Sequence, residues 1–217
     1  MGDPAGVGPE IVLKALRDLA PREAAGEFAL VVIGTASCMA DAAARLGLPA
    51  KISADAGGWP QVKLIEAAST KATIAPGQLS AEAGRLAFAA IERAVRLALE
   101  GEIDAIVTAP INKEALNKAG YAYPGHTEIL AELTGSRGSC MMLAHDQLKV
   151  THVSTHVALA DVPKRVTPER LRHVFTLTTR RSWTSASKSR GSASARSTRM
   201  RAKAACSGAR TRTSSCR

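Results

Sequence analysis

Large apolar residues recur through this chain at helix and strand spacings as far as about Thr179, and then they stop. A folded core needs such residues, so only residues 1–179 are expected to build one. Beyond that point the chain is Ser, Arg, Ala, Thr and Lys, with only Trp183 and Met200 as large apolar side chains. Charge divides at the same place. The formal net charge is +10, yet residues 180–217 hold eleven Arg and Lys and no acid. The body is left with 18 basic and 19 acidic residues, close to neutral. The basic excess is therefore a property of the tail, which reads as disordered.

Within the body, apolar helices and strands interleave. Pro9 to Leu19 has helical spacing, Phe28–Gly34 reads as a buried strand, and Cys38–Leu46 as an Ala-rich helix. Val62–Ile65 reads as a short strand, Ser80–Leu99 as the longest helix, with Ser80 opening an imperfect capping box and Glu82 in its first turn, and Ile103–Val107 as a second buried strand. Asn112–Ala119 and Thr127–Thr134 read as short helices closed by Gly120 and Gly135. Cys140–Ala144 and Leu148–Ser154 read as a strand pair. Pro168 opens a helix with Thr167 as its N-cap. Such alternation favours a largely parallel α/β sheet. Aromatics make up 3% of the chain, so Ala, Val, Leu and Ile must fill the core. No apolar run is long enough for a membrane helix, and no signal peptide is evident. Cys38, Cys140, Cys206 and Cys216 lack CxxC spacing and read as free thiols of a reducing cytoplasm.

Three segments have the composition of ligand sites. Gly2-Asp3-Pro4-Ala5-Gly6-Val7-Gly8-Pro9-Glu10 is a Gly/Pro-rich loop leading into a helix, where close backbone approach and free amides favour an anion. An ordinary loop before a Pro-started helix reads equally from the spacing. Thr108 to Lys113 follows an expected strand, the place where open α/β sheets hold ligands; Asn112 and Lys113 could take a phosphate or carboxylate, or simply start a solvated helix. Tyr123-Pro124-Gly125-His126-Thr127-Glu128 puts a histidine at a helix start, where the dipole lowers its basicity. His152 and His156 lie in a stretch that reads as strand. There, residues four apart stand about 13 Å from one another, so at most one joins a given metal.

Taken together, MGDPAGVGPEI, VTAPINKEAL, YPGHTEIL and THVALADVP resemble, in order and spacing, the 4-hydroxythreonine-4-phosphate dehydrogenases of pyridoxal phosphate biosynthesis. The resemblance covers residues 1 to about 179. It implies an isocitrate/isopropylmalate-dehydrogenase-like α/β fold, incomplete here, in a cytoplasmic homodimer. It implies oxidation of a small phosphorylated hydroxy-amino acid by NAD or NADP, followed by decarboxylation, with a divalent metal (Zn, Mg or Co). His126 and Thr127 match the family's substrate-binding pair, and His156 the first of three metal-binding histidines. The other two have no counterpart in the sequence as read. Asp3, Gly6, Asn112 and Lys113 are the candidate substrate or phosphate loop; no residue is singled out as catalytic. Paralogues with the same chemistry act on phospho-threonate, phospho-erythronate or cyclic diols. Nucleic-acid binding through the basic tail is the alternative of another class, but the tail lacks interleaved aromatics for base stacking.

The tail also reads as the same gene out of frame. With one nucleotide lost near Arg180, each original codon joins the third base of one residue to the first two of the next. Trp183 followed by Thr184 then gives Asp, and Met200 followed by Arg201 gives Ala when the Arg codon begins CG. Every position from Arg180 to Gly208 accepts a continuation resembling the family's, including an Asn-Pro-His-Ala-Gly-Glu run. Its histidine, the second metal ligand, straddles Arg199 and Met200. Resequencing the gene from the Pro168 codon past that of Arg217 is expected to show one additional base near Arg180. An unchanged read would make the basic tail a genuine product.

Overall fold

The computed structural model describes residues 1–54, 58–136, 138–145, 148–155 and 157–186, with the side chains of 180–186 left out. The chain divides into two compact units, Met1–Ser139 and Cys140–Arg217.

In the first unit, Pro9 and Glu10 open α1 (Gly8–Ala24), where a ring-fixed φ and a carboxylate both suit a helix start. The small parallel sheet comprises β1 (Val32–Gly34), β2 (Lys51–Ser53) and β3 (Gln61–Glu66), in the order β1-β3-β2. Val32 pairs with Leu64 and Ile52 with Val62, so β3 is the central strand. Its Val62 and Leu64 are both buried, the two-residue alternation of a strand with one covered face. Helix α2 (Ala36–Arg45) adds Met39, Ala42 and Ala43, which pack with Leu13, Val32, Val62 and Leu64 in one core.

Helix α3 (Ala81–Leu99) starts where the sequence places it. Ser80 Oγ accepts a hydrogen bond from Ala83 N at 3.0 Å, the expected N-cap. Glu82 in its first turn accepts from Arg85 Nε at 2.8 Å and from Thr70 Oγ1 at 2.6 Å. Those bonds, Arg85 first, hold its carboxyl down to about 2 and tie the preceding loop to the helix. Helices α4 (Lys113–Lys118) and α5 (His126–Leu133) pack beside α3 in a second core of Phe88, Ile91, Val95, Leu116 and Ile129. Both tyrosines join it: Tyr121 stacks on Phe88 with centroids 3.8 Å apart, and Tyr123 stands at 5.9 Å.

The second unit contains an antiparallel hairpin, β4 (Met142–His145) and β5 (Leu148–Thr151), followed by a single turn of 3-10 helix, α6 (Val162–Arg165) and α7 (Pro168–Ala186). Thr167 caps α7 as expected, its Oγ1 accepting from Arg170 N at 3.2 Å. Arg170 Nε donates to Val153 O, and Thr178 Oγ1 donates to Thr151 Oγ1, so α7 is bonded to the strand and the loop after it. The opposite face of the hairpin carries Met141, Leu143, Leu148 and Val150, all exposed.

Several boundaries differ from those expected. The strand expected at Phe28–Gly34 is only Val32–Gly34; Leu30 N donates to the Glu23 carboxylate and not to a ladder. The strand expected at Ile103–Val107 does not form. The segment pairs with no strand among the described residues, and Val107 is 93% exposed. An apolar run becomes a strand only when a neighbour supplies its hydrogen bonds. The strand expected through Ser154 ends at Thr151, so His152 is not in a strand; His156 lies outside the described residues. Helix α7 continues past Thr179 to Ala186, since a formed helix extends at small cost per residue. Residues 187–217 lie outside the described residues.

Leu13 is fully buried between α1 and the sheet. Leu13→Ala is expected to lower the unfolding free energy by about 2–5 kcal/mol, measured by urea denaturation. A loss below about 1 kcal/mol would show that this interface closes readily without it.

Candidate functional site

The Gly2–Val7 loop is built from the backbone outward. Asp3 N donates to Pro110 O at 2.9 Å, tying the start of the chain to the segment ahead of α4. Asp3 Oδ1 accepts from Ala5 N at 2.9 Å, and Asp3 O accepts from Gly6 N at 3.1 Å, which closes a tight turn. Gly2 is required twice over. Its φ of 77° is left-handed, and a Cβ there would stand 2.5 Å from Pro110 O.

The second loop is fixed by Asn112. Its Oδ1 accepts from Glu114 N at 2.9 Å and Ala115 N at 3.1 Å, capping α4. Between the two loops is an open cleft of about 590 Å³, within the range of small-molecule sites. Asp3, Gly6 and Val7 line one side, and Pro110, Asn112 and Lys113 the other. The four candidates from the two loops, Asp3, Gly6, Asn112 and Lys113, therefore share one site although more than a hundred residues separate the pairs. Two of them have partly different work from that expected. One oxygen of Asp3 and the carbonyl oxygen of Asn112 hold the backbone of their own loops. The Lys113 ammonium and the Asn112 amide NH2 remain as donors.

His126 and Thr127 do not line this cleft. His126 is the first residue of α5, following Gly125. Its ring is close to Ala109 and to the Met1 amine, at the junction of the same two loops. Burial pushes its pKa below 6.5 and the Met1 amine lowers it further, while a hydrogen bond to the Ala109 carbonyl opposes both. The imidazole is thus neutral at neutral pH. Its Nε2 is buried with no hydrogen-bond partner, an arrangement that costs about 1–3 kcal/mol until something bonds to it. Thr127 is exposed beside it. Among the described residues, no three His, Cys, Asp or Glu side chains come together as a metal site. His156 lies outside them.

The sequence did not point to the Met1 amine, the Pro110 carbonyl or Glu114, which also lines the cleft. The Met1 amine donates to Ile33 O at 2.9 Å, and burial takes its pKa from 8.0 to about 6. Contacts distant in sequence identify the Met1 amine and the Pro110 carbonyl, whereas Glu114 directly follows Lys113 in the same segment.

The Met1 amine and His126 both have folded-state pKa values below their unfolded ones. Each group's stabilising contribution is present above its unfolded value and is lost as pH falls through the folded one. In a protein that begins at Met1, melting temperature is therefore expected to fall between pH 8.0 and about 6 through that amine, and on below 6.5 through His126. His126→Gln should remove the lower part of that slope. A melting temperature that stays flat across this range would show the junction open to water.

The model of the family "Pyridoxal phosphate biosynthetic protein PdxA" matches residues 27–191. A Bradyrhizobium diazoefficiens protein bearing a D-threonate 4-phosphate dehydrogenase name is 56% identical over 181 residues, 82% of this chain and 52% of its own. The 4-hydroxythreonine-4-phosphate dehydrogenase of Geobacter metallireducens is 43% identical over 187 residues, 83% of this chain and 54% of its own. A crystal structure of a 4-hydroxythreonine-4-phosphate dehydrogenase from Burkholderia phymatum superposes with a TM-score of 0.73 at 40% identity, over 81% of this chain and 54% of that one. The chain spans about half the length of the relatives it matches. With a family match over most of its residues and a shared fold, the chain belongs to the PdxA family of pyridoxal phosphate biosynthetic proteins, whose relatives named here are dehydrogenases.

Proposed function

We propose that this chain forms the substrate-receiving part of a dehydrogenase acting on a four-carbon, 4-phosphorylated hydroxy acid. The observation that carries the reading is the cleft between the Gly2–Val7 loop and the Pro110–Lys113 segment, with His126 at the junction of the two. Lys113 and the Asn112 amide offer donors to the substrate's anionic groups. His126, neutral and with a buried Nε2 that has no partner, would reach a substrate hydroxyl only when the loop junction opens, and the exposed Thr127 follows it in the chain.

Oxidation of the C3 alcohol would pass a hydride to oxidised NAD or NADP and release the hydroxyl proton to solvent. The product is a β-keto acid, which loses CO2 and leaves a ketone phosphate. From 4-hydroxythreonine 4-phosphate that is 3-amino-2-oxopropyl phosphate; D-threonate 4-phosphate gives the hydroxyl analogue. A divalent metal, with His156 among its ligands, would polarise the reacting oxygen. The described residues do not complete a ligand set for it. A cytoplasmic homodimer completes the reading. Between the two acids, the higher identity to the relative with the D-threonate name favours D-threonate 4-phosphate. The 217-residue chain by itself is expected to turn over little.

Calorimetric titration of the purified chain tests this. Saturable binding of D-threonate 4-phosphate is expected, tighter than that of 4-hydroxythreonine 4-phosphate, and weakened about tenfold by Lys113→Ala. Unchanged affinity in that variant would remove the cleft from the substrate site. Turnover with NAD and metal at ordinary rates of about 1–10³ s⁻¹ would overturn the expected inactivity.

A further inference from the structure

Helices α3 and α4 meet at Gly84. A Cβ built there would overlap the Ala115 carbonyl and stand 2.8 Å from Leu116 N, nearer than side chains approach backbone. Gly84 is in the body of a helix, so what it supplies is space, not an unusual backbone angle. Ala115 and Leu116 are almost wholly buried, and Leu116 packs in the core with Phe88 and Ile91. A methyl group added at Gly84 can be accommodated only by moving α3 and α4 apart, because the surrounding core is filled. The same turn of α4 sets the cleft. Ala115 N donates to Asn112 Oδ1 at 3.1 Å, and Leu116 N donates to Asn112 O at 3.1 Å. Asn112 and Lys113 must follow wherever Ala115 goes.

We infer that Gly84 is a positioning residue for the cleft. By letting α4 seat directly on α3, it sets where Asn112 and Lys113 stand opposite the Asp3–Val7 loop. Gly84 itself does not line the cleft. The inference rests on the reading of that cleft as the substrate site.

The test is Gly84→Ala in the 217-residue chain. Alanine is the better helix former, so weakened binding cannot be assigned to helix propensity. The dissociation constant for D-threonate 4-phosphate is expected to rise roughly tenfold or more, the scale of a displaced binding group. The amide resonances of Asn112 and Lys113 should move even without ligand. Ala90→Gly, elsewhere on α3, should lower the melting temperature and leave affinity unchanged. A folded Gly84→Ala protein with native affinity and unmoved Asn112 and Lys113 resonances would overturn the inference. Should Gly84→Ala fail to fold, hydrogen exchange on the unaltered chain decides. Ligand must then slow exchange at Ala115, Leu116 and Gly84, and slowing confined to the two loops would overturn it. If the unaltered chain binds no D-threonate 4-phosphate, the cleft reading falls. The ligand-free resonance shifts of Gly84→Ala then decide the positioning alone.

Discussion

One backbone hydrogen bond, from Asp3 N to Pro110 O, ties together the two walls of the cleft on which the site depends. It joins the segment entering α1 to the segment entering α4. The cleft is the space between those segments, and this contact fixes its inner end. The contact is possible because Gly2 has no side chain and takes a left-handed φ. Asp3 and Asn112 then stiffen the two walls by bonding to their own backbones. Such internally satisfied loops suit binding, since little order has to be imposed when a ligand arrives.

Two cores support this junction from different directions. The sheet core places β1, whose Ile33 carbonyl receives the Met1 amine. The helical core places α4 and α5, and with them Asn112, Lys113 and His126. The aromatic stack of Phe88 with Tyr121 and Tyr123 spans the connection between α4 and α5. It therefore bears on the start of α5, where His126 stands.

Sequence reasoning succeeded where the deciding interaction is local. Ser80 and Thr167 were legible as caps because a cap bonds within three residues of itself. The short strand at Val62–Ile65 was legible because its apolar residues lie together in the sequence, and the structure extends it to Gln61–Glu66. Ile103–Val107 misled because its composition suits a strand, while strand formation depends on a partner distant in sequence. Asn112 was legible as a polar residue at a helix start, but which of its atoms would be committed to the cap was not. His126 stood out through its motif. Its proximity to the Met1 amine depends on a residue more than a hundred positions away.

The buried Met1 amine has a practical consequence for handling this protein. An affinity tag fused ahead of Met1 would replace an amine that becomes an ammonium below about pH 6 with a peptide N–H. That group can still donate to Ile33 O, and it carries no charge to desolvate. It would also remove the positive neighbour that lowers the basicity of His126. Tagged and untagged preparations should therefore differ in how they respond to acid, so a comparison of variants needs the same N-terminus throughout.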